Sequence, residues 1–296
     1  MLFRSYGWDN EYGRRELAVE SFSCAQYLVS NQEFLKFVDA GGYHELRYWT
    51  EEGRQWLSYS KAGMPHFWLK KEGQYWQRNL YNEIPLPLNW PVEVNFLEAK
   101  AFCNWKAEEA GSAIRLPTEA EWMVLREKLD ADITDWEVAP GNLNLEEYAS
   151  SCPVDRHQVN GFFDIVGNVW QWTETPIDGY TGFQVHELYD DFSTPTFDGK
   201  HNLFKGGSWI STGNEASKHS RYAFRRHFFQ HAGFRYIESQ TEVLPVDKVN
   251  IYETDDLVSQ YLEFHYGANY FEVSNYPKSC IRACMDYTDE LPKHRA

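Results

Sequence analysis

Leu116-Pro117-Thr118-Glu119-Ala120-Glu121-Trp122 is the stretch on which the fold turns. Thr118 belongs to the residue types whose side-chain oxygen accepts from the free N–H groups of a helix start. Glu121, three positions on, is placed to return a bond to the Thr118 backbone, the reciprocal pair of a capping box. The stretch therefore predicts an extended entry and then a helix running to about Leu129. Upstream, Asn95 and Glu98 repeat the arrangement before Leu-Glu-Ala-Lys-Ala-Phe-Cys-Asn-Trp-Lys-Ala-Glu-Glu-Ala110. Phe96, Ala99, Cys103, Ala107 and Ala110 then share one face, and Gly111 supplies the stop. Further upstream, Ser30-Asn31 precedes Gln-Glu-Phe-Leu-Lys-Phe-Val-Asp-Ala40, with Gly41-Gly42 after it, so a short capped helix is expected there too.

Downstream the pattern changes. Residues 131–215 are rich in Gly, Pro, Asn, Asp and aromatics and show no long amphipathic period, which fits long loops with short strands. Phe204-Lys-Gly-Gly-Ser-Trp-Ile210 and Gly233-Phe-Arg-Tyr-Ile237 are strand candidates. The expected class is α+β with little regular secondary structure, its loops held together by aromatic rings. A boundary is expected near 241–248, and the polar, tyrosine-rich segment beyond it is too short for a confident domain.

Composition narrows the function classes. The chain has 296 residues, enough for a sizeable core without disulfides. It carries 28 Lys+Arg against 44 Asp+Glu, a net charge of −16, which argues against nucleic acid or an anionic membrane as partner. Its 12 Trp, 19 Tyr and 19 Phe argue against disorder. No apolar run approaches the ~18–20 residues of a membrane-spanning helix. The opening Met-Leu-Phe-Arg-Ser-Tyr-Gly-Trp carries no secretory pattern, and five cysteines without CxxC support neither a disulfide framework nor a zinc ribbon. A reducing, cytoplasmic location is expected.

Four motifs occur in order: Leu116-Pro-Thr-Glu-Ala-Glu-Trp122, Gly167-Asn-Val-Trp-Gln-Trp-Thr173, Gly206-Gly-Ser-Trp209 and Ala232-Gly-Phe-Arg235. Together they resemble the formylglycine-generating-enzyme (sulfatase-modifying factor) domain over roughly residues 21–238, with its C-type-lectin-like α+β fold. A narrower resemblance rests on Tyr6-Gly-Trp-Asp-Asn-Glu-Tyr-Gly13, the segment Arg221-Tyr-Ala-Phe-Arg-Arg-His-Phe-Phe-Gln-His231, and Phe264-His-Tyr-Gly267. These resemble the central domain of the ovothiol-pathway sulfoxide synthases, which join cysteine to histidine with O2 at a non-heme Fe(II). The resemblance implies three segments: a connector at 1–20 from a missing N-terminal four-helix iron-ligand domain, the central domain at 21–240, and an extension at 241–296 like the start of a truncated methyltransferase. The family's HxxxHxE iron pattern is absent here. His227 and His231 stand at HxxxH spacing, which on a helix would put both imidazoles on one face, but they lack a third ligand, so packing or hydrogen bonding is the favoured reading.

The basic island comes next. Between Ala216 and Ile237 there is no Asp or Glu, yet Lys218, Arg221, Arg225, Arg226 and Arg235 are there. Guanidiniums bind carboxylates bidentately, and both expected substrates carry one. The resemblance implies that Arg225 or Arg226 clamps a substrate carboxylate, with Arg221, standing where ergothioneine-pathway relatives have an Asp, and Phe183 also among the substrate-binding residues. Internal ion pairing with the surplus acids is the competing reading, and Arg235 is read as structural. Tyr180 lies in Asp178-Gly-Tyr-Thr-Gly-Phe183, and the resemblance implies a proton donor to the reacting oxygen; a phenol stays protonated at neutral pH. Phe183 falls where the family has a second tyrosine, and a packing role for Tyr180 is the alternative. For calcium, the matching positions are Asp164, Gly167, Val169 and Gln171; Gln in place of Glu removes a charge a hard cation prefers and disfavours the ion.

Two absences separate the functional readings. No Cys lies between Cys152 and Cys280, so the copper-thiolate chemistry of formylglycine generation lacks its cysteines. No GxGxxG-type loop follows Thr241, so methyl transfer has no support. The leading expectation is a substrate-binding and catalytic module of an iron sulfoxide synthase, incomplete alone. A non-catalytic lectin-like module for a small acid or peptide is the alternative, and a formylglycine-generating oxidase the weaker one.

Overall fold

The computed structural model describes residues 7–13, 15–127, 141–180, 183–185, 192–212, 215–241 and 243. The extension at 241–296, with Cys280 and Cys284, lies almost wholly outside the described residues, as do Thr181 and Gly182.

Four helices are described: α1 (Asn31–Asp39), α2 (Glu51–Ser60), α3 (Phe96–Ala110) and α4 (Glu119–Arg126). The expected caps are present. Ser30 accepts from the Glu33 N–H at 3.2 Å. Asn95 Oδ1 accepts from Glu98 N at 3.0 Å while Glu98 Oε2 accepts from Asn95 N at 2.9 Å. Thr118 and Glu121 exchange the same pair of bonds. The fourth helix stops at Arg126 rather than Leu129. Helix α2, capped by Thr50, was not anticipated.

The strands are short. They are β1 (Ser23–Cys24), β2 (Trp68–Lys71), β3 (Gln74–Arg78), β4 (Glu83–Pro85), β5 (Ile114–Arg115) and β6 (Gln158–Val159). Then come β7 (Phe162–Phe163), β8 (Trp170–Pro176), β9 (His201–Lys205), β10 (Tyr222–Arg225), β11 (Ala232–Gly233) and β12 (Ile237–Glu238). The main sheet has the order β10-β9-β8-β11, with β11 parallel to β8 and the other pairs antiparallel. A second sheet, β1-β12-β5, joins the two ends of the described domain, and β2-β3-β4 forms a hairpin sheet.

Two strand expectations change in detail. Residues 204–210 are not one strand: β9 ends at Lys205, and Gly206 and Gly207 take φ of +94° and +76°, a backbone that L side chains avoid. Residues 233–237 likewise split between β11 and β12, which belong to different sheets.

The core is aromatic, as the composition requires. Phe34 stacks on Phe102 with centroids 5.4 Å apart, and Phe234 meets both rings edge-on. Trp170 and Trp172 flank Phe204 within the main sheet, and the Trp172 indole donates to Val94 O at 3.0 Å. Each such ring pair adds roughly 0.5–1.5 kcal/mol beyond burial. No described helix is long and apolar enough to cross a membrane.

Candidate functional site

The main sheet lays the motif segments side by side on β8, β9, β10 and β11. His201, at the start of β9, pairs across the sheet with Arg225, the last residue of β10. Its carbonyl accepts from Ile177 N at 2.9 Å, three residues before Tyr180. Arg225 thus lies at the His201 end of β10, whereas the Tyr180 ring packs on Arg221, just before the other end of that strand.

Tyr180 borders a cavity of about 170 Å³ together with Glu11, Arg15, Met123, Lys218 and His219. Its ring is held by cations. The Arg221 guanidinium carbon lies 4.0 Å from the ring centroid and that of Arg15 at 5.5 Å. Burial, with the Glu119 charge, pushes the phenol pKa above its ordinary value, so it stays protonated and able to donate at neutral pH.

Arg221 is buried and fully engaged by the protein. Its Nε and Nη2 meet Glu119 Oε1 and Oε2 at 3.0 and 3.1 Å. Its Nη1 donates to Asn10 O and Asp178 O, both at 2.8 Å. Substrate contact, the role the resemblance implies, is not where the geometry puts this guanidinium; the internal pairing weighed against it is what forms. Burial raises the Glu119 pKa, but the Arg221 and Lys205 charges outweigh it and hold it at about 2. Lys205 Nζ reaches Glu119 Oε1 at 3.4 Å and also donates to Ser220 O.

Arg226 is anchored as well: Nε to Asn202 Oδ1 at 2.7 Å, Nη1 to Glu52 at 2.8 Å and Nη2 to Gly199 O at 2.8 Å. Arg235, fully buried, donates to the carbonyls of Ala25, Gln26 and Phe163. Arg225 is different. It is half-buried at the edge strand and has no side-chain hydrogen bond or ion pair among the described residues. Of the four arginines in the island, it alone has its fork unoccupied. Phe183 packs on Phe197 at 5.2 Å in a small apolar cluster with Ile177 and Leu203. It does not border the Tyr180 cavity.

Residues 7–13, expected to be part of a connector, help build the site. Trp8 Nε1 donates to the Tyr222 hydroxyl at 3.1 Å, and Asn10 Nδ2 to Ser193 Oγ at 3.0 Å. Glu119 and Asp178 are the functional residues that the sequence reading missed. Glu119 was visible only as an acid in a first helical turn.

Among the described residues, no three His, Cys, Asp or Glu side chains converge on a common point. His227 and His231 lie on a turn and an extended segment, not on one helix, and His231 Nδ1 meets Glu93 Oε2 at 2.8 Å. The calcium positions do not fit that ion. Gln171 Nε2 donates to Asp164 O and Ile165 O, both at 3.1 Å, and Arg235 Nη2 also reaches Asp164 O. The Gln171 amide is thus spent within the protein, its oxygen accepting from Arg235 Nε at 3.3 Å, and it brings no charge for a hard cation. Burial raises the Asp164 carboxyl to about 8, which leaves it uncharged at neutral pH.

A family model described as the sulfatase-modifying factor enzyme 1-like domain matches residues 2–240. The chain belongs to this family. Among curated relatives, hercynine oxygenase of Mycobacterium tuberculosis is 30% identical over 68% of this chain and 48% of its own length. Ergothioneine biosynthesis protein 1 of Schizosaccharomyces pombe is 29% identical over 78% of this chain and 26% of its own. The formylglycine-generating enzyme of Mus musculus is 28% identical over 73% and 63%. The chain thus spans about half the length of the mycobacterial relative. The shared fold is the mixed α+β architecture expected from the motifs.

Proposed function

We propose that this domain is the substrate-side half of a non-heme iron sulfoxide synthase that joins cysteine to histidine with O2. The resemblance to two relatives with hercynine and ergothioneine in their names supports that class of reaction. The observation that carries the site is Arg225. An unengaged guanidinium at the end of β10 can take a substrate carboxylate bidentately, with the Tyr180 ring at that strand's other end. Arg226, pinned by Asn202, Glu52 and Gly199, supports the same strand end and adds positive potential. Tyr180 holds a proton for donation, and Arg221 positions its ring. Iron, when bound, supplies O2 activation; its ligands are not among the described residues, and the reading takes them from a separate four-helix domain.

The test is turnover. The chain is supplied with Fe(II), cysteine, histidine and O2, alone and with a four-helix iron-ligand domain added. Mass spectrometry is expected to find 5-histidylcysteine sulfoxide in the combined reaction, with Arg225→Ala raising KM for the clamped substrate at least tenfold. No sulfoxide from the combined protein, or Tyr180→Phe and Arg225→Ala reactions identical to wild type, would sink the reading.

A further inference from the structure

A second cavity, of about 240 Å³, shares no lining residue with the Tyr180 cleft. It lies beside the β2-β3-β4 hairpin sheet, and Trp209 of the Gly206-Gly-Ser-Trp209 motif and His231 reach its wall. Phe67, Leu80 and Trp209 give it an apolar wall. Arg78, Glu93 and His231 add charge and polarity.

The polar groups are built rather than incidental. Glu93 Oε1 accepts from the Ser151 hydroxyl at 3.1 Å, and Oε2 meets His231 Nδ1 at 2.8 Å. A carboxylate in that place fixes a proton on Nδ1. Nε2 has no hydrogen-bond partner among the described residues. The ring itself is held against Trp209, with centroids 4.5 Å apart. Trp209 is 2% exposed, and its buried indole N–H has no acceptor. Buried donors of this kind are rarely left unpaired without a reason. Arg78 is half exposed and forms an ion pair with Glu83 at 3.6 Å.

We propose that this cavity binds a free α-amino acid with an apolar or aromatic side chain. Arg78 is the donor for its carboxylate. His231 Nε2 and Glu93 receive its ammonium group, and Phe67 and Leu80 take its side chain. A simple anion would face Glu93, and a simple cation would face Arg78; a zwitterion answers both. The volume lies just below the 300–1,000 Å³ range of pockets for drug-sized ligands, which suits a single amino acid.

The test is calorimetry on the full chain with L-phenylalanine as probe, without iron or turnover, so it stands apart from the sulfoxide synthase reading. L-Phenylalanine is expected to bind at one site. Phenethylamine, lacking the carboxylate, and 3-phenylpropionate, lacking the ammonium group, bind at least tenfold more weakly. Arg78→Ala, on an exposed hairpin, weakens binding at least fivefold. Tyr180→Phe leaves the affinity unchanged. The proposal is overturned by no heat with L-phenylalanine at millimolar concentration, by either truncated probe binding equally well, by Arg78→Ala binding as wild type does, or by loss of binding in Tyr180→Phe.

Discussion

Glu119 and Arg221 are 102 positions apart in the chain and share two hydrogen bonds in the interior. The pair sits at the centre of a buried array that reaches Lys205, Asp178, Asn10 and the face of Tyr180. Removing one partner of such a pair strands the other charge away from water. Arg221→Ala is therefore expected to cost about 3–5 kcal/mol in chemical denaturation. Arg221→Lys restores little of it, because a point charge cannot make the forked contact; a loss under about 1 kcal/mol would show the array to be slack. The arginine cluster was legible in the sequence as a run without acids. Its division of labour was not, because the partners Glu119, Glu52 and Gln171 come from distant segments. An acid in a first helical turn already has a local reason to be there, the helix dipole, and that hides its second role.

At the scale of elements, the main sheet depends on close backbone approach. On Gly233, in β11, a Cβ would lie 2.5 Å from the Val92 carbonyl oxygen and 3.0 Å from Val169 Cγ2. Gly233→Ala is expected to destabilise the domain by about 1–3 kcal/mol, read as a lower thermal midpoint, since backbone rather than a flexible side chain must yield. A midpoint unchanged within a degree would mean that β11 is free to shift. Helices α1, α3 and α4 were readable because each carries a cap of the expected chemistry at its first residue. Helix α2 was not, because Gly53 and a polar composition weaken its pattern. Strand β8 was hidden for a different reason. Its first four residues are buried, so it lacks the alternation of a half-exposed strand.

The whole molecule titrates in two opposing directions. Burial raises Glu98 to about 7 and Asp164 to about 8. A carboxyl raised above its unfolded value contributes stability that is fully present below that value and lost as pH rises through the folded one. Stability from these two groups is therefore lost from about pH 4 to 8. Glu98→Gln, which preserves the cap to Asn95, is expected to flatten the decline of the melting temperature between pH 4.5 and 7; an unaltered slope would refute the assignment. Glu119, held near 2, works in reverse: its contribution is present above 4.5 and is lost as pH falls toward 2. The closure of the domain has a mechanical consequence. Ser23 lies opposite Glu238 and Cys24 opposite Ile237, so the outer ends of β1 and β12 share one rung of an antiparallel pair. A force applied at Ser23 and Glu238 would peel this seam one rung at a time, Ser23–Glu238 before Cys24–Ile237, instead of loading all its hydrogen bonds together.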